Sequence, residues 1–84
     1  MPEIARFYGI IIKMYFIYSE HNPPHIHAWY GDNVVAIAIN DFHIMSGGLP
    51  PRAMQLVLEW MKIHQKELLD MWNSQNIHKI EALS

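Results

Sequence analysis

Three of the six histidines stand at positions 25, 27 and 43. Imidazole can ligate a metal, move a proton near neutral pH or donate to an anion. His25 and His27 are two apart in the alternating run His25-Ile26-His27-Ala28-Trp29-Tyr30. In a strand, both would face the same way about 6.6 Å apart, with Trp29 beyond them. The preceding run adds Lys13 and Tyr15 to that face, and Arg6 and Tyr8 lie just upstream.

Four kinds of chemistry fit these residues. A metal could be shared by His25, His27 and His43, with His43 reaching across the small Ala38; ligation needs neutral imidazoles that converge. A ribonuclease could use His25 and His27 as base and acid, with Lys13, Tyr15 or Arg6 steadying the phosphate. A small anionic ligand of nucleotide type could stack on Trp29 and Tyr15 and take donors from Lys13 and the imidazoles, with Arg6 and Tyr8 contributing from the flank. Alternatively, the histidines simply occupy an outer sheet face or a subunit interface. We expect binding rather than catalysis, with no cofactor.

The residues must be positioned by short β-runs separated by Gly9, Pro23-Pro24, Gly31-Asp32-Asn33, Asn40-Asp41 and Gly47-Gly48-Leu49-Pro50-Pro51. Strands are expected over residues 10–18, 25–30, 34–39 and 42–45. Ile4 to Tyr8 would extend the first across a bulge at Gly9. Tight turns at Asp32-Asn33 and Asn40-Asp41 give one meander register. It pairs Met14 with Ala28, Ala28 with Ile37, and Ile37 with Ile44, so every core-face pair is apolar. On the opposite face it pairs Ile17 with His25, Tyr15 with His27 and Lys13 with Trp29. Ala38 falls between His27 and His43.

After Pro51 comes a long run without Gly or Pro, read as a helix over residues 51–74, with a tail over 77–84 that could add an edge strand. Met54, Val57, Leu58, Met61, Leu68 and Trp72 would face the sheet, and Ala53, Leu56, Trp60 and Ile63 widen the apolar stripe. Such a helix is about 36 Å long, longer than a four-stranded sheet is wide. It should break near His64 or rest its end on another subunit. Gly47-Gly48 resembles an anion-binding turn but lacks the lysine and spacing of a phosphate loop. Lys62, Lys66, Glu67 and Asp70 form a solvated helix face.

Composition narrows the function classes. The chain has 84 residues, 51% hydrophobic and 17% charged, with no cysteine. That describes one small globular domain without disulfides or thiolate zinc. A net charge of −2 disfavours extended nucleic acid as a partner. No run reaches the length of a membrane span and no signal-peptide pattern opens the chain, so a cytoplasmic protein is expected. The wide helix stripe and the half-apolar first strand call for a second copy, giving a dimer or larger closed oligomer.

Ala5-Arg6-Phe7-Tyr8-Gly9, Met14-Tyr15, His21-Asn22-Pro23-Pro24-His25-Ile26-His27 and Tyr30-Gly31 together resemble a small prokaryotic family classed as a domain of unknown function. Leu49-Pro50, Leu56-Val57-Leu58-Glu59-Trp60 and Lys79-Ile80-Glu81 extend the likeness. Some members are described as toxin–antitoxin-like, and many are encoded beside another small domain. The resemblance implies a bacterial or phage setting and a small protein partner. It also brings a ribonuclease toxin into view, and it assigns no catalytic residue. The reading is an α+β fold, a four-stranded antiparallel meander with one long helix on one face. Its expected function is that of a non-enzymatic, homo-oligomeric module that binds or sequesters a nucleotide-type anion.

Overall fold

The computed structural model describes residues 3–14, 23–74 and 76–83. Its first strand, β1 (Glu3–Phe7), is separate from β2 (Ile10–Lys13). Tyr8 and Gly9 between them both have positive φ, 50° and 79°, and Phe7 pairs with Ile10. Two central residues with positive φ match the right-handed twist of paired strands, so the chain folds back here. The expected extension of one strand across a bulge is thus replaced by a hairpin. A bulge does occur inside β1, between Glu3 and Ala5. Ile4 and Ala5, adjacent in sequence, are both buried.

The sheet continues through β3 (His25–Tyr30), β4 (Asn33–Ala38) and β5 (Ile44–Gly47) in the spatial order β1-β2-β3-β4-β5, every pair antiparallel. Among the described residues the meander therefore has five strands, where four were expected. Two registers differ from the expected ones by two residues. Ala28 pairs with Ile12 rather than Met14, and with Val35 rather than Ile37. The second shift arises because the turn is Gly31-Asp32, with Gly31 at φ 60°, so that Tyr30 pairs with Asn33. A shift of two leaves every side chain on its own face, because the strand period is two. Ile37 pairs with Ile44 as expected, and a bulge then offsets Ala36 onto Ser46. The final strand ends on Gly47, at φ 72°, where a Cβ would collide with the carbonyl of Val34. Gly48 donates its N–H to that same carbonyl at 3.1 Å.

The core face carries Ile10, Ile12, Met14, Ile26, Ala28, Val35, Ile37 and Ile39, all fully buried. Against it packs α1 (Pro51–Ser74), continuous through His64. Its buried residues are Ala53, Val57, Trp60, Met61, Leu68 and Met71, with Met54, Leu56, Leu58 and Trp72 partly buried. Trp60, read from sequence as a widening residue, is central to the core. The far end of the helix is used within the chain, where Trp72 packs its ring 5.3 Å from that of His25. The tail does not form a strand. It crosses β1 with one ladder-like bond, from the N–H of Ile80 to the carbonyl of Ile4 at 2.7 Å.

Candidate functional site

The strand pairings lay out the outer face of the sheet in rows. One row is Arg6, Ile11, Trp29, Val34, and the next is Glu3, Lys13, His27, Ala36, Ser46. Lys13 is therefore the lateral neighbour of His27, and Ile11 that of Trp29. Lys13 still reaches Trp29 diagonally, with Nζ 5.5 Å from the ring centroid. His25 sits beside Ala38, and His27 beside Ala36. The expected placement of Ala38 beside His27 is corrected accordingly. Tyr15 and Ile17, with the pairs expected of them, lie outside the described residues.

The three histidines do not act as one group. His25 is only 3% exposed, and its Nδ1 donates to the carbonyl of Pro23 at 3.0 Å. Its ring lies 5.2 Å from that of His27 and against Trp72. Burial first, and then the nearby His25, hold the imidazole of His27 below its ordinary range, so it is neutral at pH 7. His43 is exposed and donates from Nδ1 to Asp41 Oδ1 at 2.6 Å, while its backbone N–H reaches the same oxygen at 3.1 Å. That contact holds the Asp41 carboxyl below the usual carboxylate range. Among the described residues no group of three His, Asp or Glu is placed to hold a metal ion. The metal reading of His25, His27 and His43 is overturned by this separation.

The cations expected to serve an anion on this face are also committed. Arg6 pairs with Glu3 at 2.7 Å, and Glu3 is the strand neighbour of Lys13. The contact with Arg6 lowers the Glu3 carboxyl and raises the Arg6 guanidinium. The indole Nε1 of Trp29 is buried, with no hydrogen-bond acceptor among the described residues. The outer face thus presents a partly buried aromatic ring under an ammonium group and little net positive charge.

Tyr8 lies elsewhere, in a cleft at the start of α1. This cleft, about 510 Å³, is lined by Tyr8, Tyr30, Arg52, Leu56, Glu59 and Leu83 among others. Its volume lies in the range of small-ligand sites. The Tyr8-Gly9 turn supplies one aromatic wall. Tyr30, the last residue of β3, lies over that turn, with its ring at ordinary contact distance from a Cβ built on Gly9. Arg52, Leu56 and Glu59 come from one flank of the helix at i, i+4 and i+7. The first turn of the helix has no acidic residue, and Pro50 and Pro51 bring no side-chain cap, so its positive end is uncompensated there. Among the described residues neither Arg52 nor Glu59 is in an ion pair. Apart from Tyr8, sequence reasoning missed this site. Its walls come from four separate segments, and no spacing along the chain announces them.

Comparison with known proteins places the chain in a family. The family model described as Domain of unknown function (DUF4160) matches residues 9–73. The chain belongs to that family. No curated protein and no solved structure matches it. The match runs from Gly9 through most of the helix, so the DUF4160 segment holds β2 to β5, Tyr30, Arg52 and Glu59, while Tyr8 and Leu83 lie outside it. Among the described residues no helix is long and apolar enough to cross a membrane.

Proposed function

We propose that this DUF4160 protein is a non-enzymatic, homo-oligomeric binding module. It holds a small anionic ligand of nucleotide type in the cleft between the Tyr8-Gly9 turn and the helix start. The observation that carries this reading is the convergence on one cleft of about 510 Å³ of two tyrosine rings and an arginine that has no ion pair among the described residues. The rings offer faces for a base, and Arg52 offers paired donors to a phosphate. Tyr8 supports it further. A bulky residue at φ 50° is unusual and strained, and here that conformation carries its ring to the cleft. The setting in a bacteria–phage or toxin–antitoxin-like pair belongs to the same proposal and rests on the family resemblance. The ribonuclease reading has less support, because His25 is buried under Trp72 with its Nδ1 already bonded.

Calorimetric titration with the four nucleoside monophosphates tests this. Binding should be saturable, and Arg52→Ala should weaken it about tenfold through loss of a charged hydrogen bond. Ligand recovered after denaturation should be chemically unchanged. Absence of binding to any of the four would remove the nucleotide reading, and recovery of a hydrolysed ligand would make the protein an enzyme.

A second reading is favoured by the outer face. The half-buried Trp29, flanked by Ile11 and Val34, suits contact with a small protein partner in the same genetic setting.

A further inference from the structure

The cleft has a polarity as well as a volume. Arg52 and Glu59 stand on the same helix flank, seven residues apart, which is about 10.5 Å of helix rise. Leu56 lies between them, and Tyr8 and Tyr30 line the same cleft. A cation at one end and a carboxylate at the other, with apolar and aromatic surface between, ask for a ligand that is anionic at one end and rich in donors at the other. The separation is that between the 5′-phosphate of a nucleotide and the far edge of a purine.

We propose that the cleft selects guanine, with Arg52 on the phosphate and Glu59 on the base; this rests on the nucleotide reading above. A carboxylate has two oxygens side by side and no proton to give at neutral pH. Guanine alone among the four bases presents two adjacent donors, N1–H and the 2-amino group, on its pairing edge. Adenine and cytosine each set one amino donor beside a ring-nitrogen acceptor, which a carboxylate repels. Uracil flanks its single N–H with two carbonyls. Glu59 therefore attracts guanine and penalises the others, and specificity comes from both effects. The tyrosine rings add stacking, which every base can use and which discriminates little.

The test compares GMP, AMP and IMP by calorimetry on the parent and on Glu59→Gln. Glu59 is exposed on the helix surface, and circular dichroism confirms that the variant is folded. The parent should bind GMP about tenfold more tightly than AMP, as expected for a charged hydrogen-bond pair. IMP keeps N1–H and lacks the 2-amino group, so it should fall between them. In Glu59→Gln the gap between GMP and AMP should shrink to about threefold or less, because a neutral amide both donates and accepts. Equal affinity for GMP and AMP in the parent overturns the guanine assignment and leaves nucleotide binding standing. A gap that survives in Glu59→Gln removes Glu59 as its cause. No binding of any of the three fails at the earlier step and takes this inference with it.

Discussion

Trp60 donates its indole N–H to the backbone carbonyl of Glu81 at 2.9 Å, although the two residues lie 21 apart. The indole is fully buried, with the ring of Phe7 5.8 Å away and that of His64 at 5.2 Å. One side chain thus fills the core between helix and sheet and fastens the tail that carries Leu83 to the cleft wall.

Replacing Trp60 with Phe keeps an aromatic core residue and removes that donor. The expected loss is about 1–2 kcal/mol, from the lost hydrogen bond and a small void. Amide exchange should rise selectively around residues 80–83. Urea denaturation gives the total cost. A variant as stable as the parent, with an equally protected tail, would show that the bond holds nothing in place.

Tyr8 occupies the left-handed region that a type I′ turn requires and that Asn adopts more readily. Tyr8→Asn should therefore raise stability by about 1 kcal/mol, less the edge contact with Phe7 at 6.3 Å. It should weaken nucleotide binding at the same time. Opposite signs in the denaturation midpoint and the titration are the expected signature, and a drop in both would refute the strain argument.

The lowered pKa of His27 sets a pH dependence. Unfolded, the imidazole protonates near its ordinary value of about 6.5; folded, it resists protonation because it is partly buried and close to His25. The unfolded chain therefore binds more protons in this window, and stability is lost as pH falls from the unfolded value toward the folded one. Above the imidazole range the contribution is constant. Thermal melts of the parent and His27→Gln between pH 8 and about pH 5 should diverge in slope only on the acidic side. Lys13 is the strand neighbour of His27 on this face.

Lys13 over Trp29 should contribute about 0.5–1 kcal/mol as a cation–π contact on a partly open face. A double-mutant cycle with Lys13→Met and Trp29→Leu isolates it, since Met preserves the packing of the stem. A coupling energy indistinguishable from zero would mean that the ammonium is merely near the ring.

Assembly is the remaining prediction. Ile63 is 63% exposed on the helix surface, with Met54 and Leu58 partly buried nearby. We expect a second copy to cover this patch, so light scattering at micromolar concentration should give a dimer or larger closed oligomer. Ile63→Glu should shift it toward the monomer without unfolding it. A parent that runs as a monomer would end the homo-oligomer proposal.

The sheet was legible in the sequence at the level of faces and less so at the level of partners. Alternation sent Ile12, Ile26, Ala28, Val35 and Ile37 inward whichever even register was chosen, and two of the three registers moved by two residues without exposing one of them. The hairpin at Tyr8-Gly9 was hidden because Tyr is a poor turn residue, and its preference was overridden by the pairing of Phe7 with Ile10. Among the outer-face residues, Lys13, His27 and Trp29 were grouped on one face by parity, whereas His25 is buried against Trp72. Electrostatic partners were not legible, since the Arg6–Glu3 and His43–Asp41 contacts depend on a bulge and a turn that periodicity does not encode. The cleft was the least legible part. Its parts meet only once the tail is drawn back across β1.

Gly47 carries one further consequence, for anyone surveying tolerated substitutions across this chain. A library scored purely for folding should return Gly47 as almost immutable, because any Cβ meets the Val34 carbonyl and the backbone is left-handed there, while Gly48 next to it has open space. Read as a profile, a fixed glycine four residues before a helix would pass for a phosphate-cradling loop. The selection would in fact be acting on a carbonyl in the neighbouring strand. Only a second screen, scored for ligand retention, separates the two, and the positions that stand out in that screen alone should be Arg52 and Glu59.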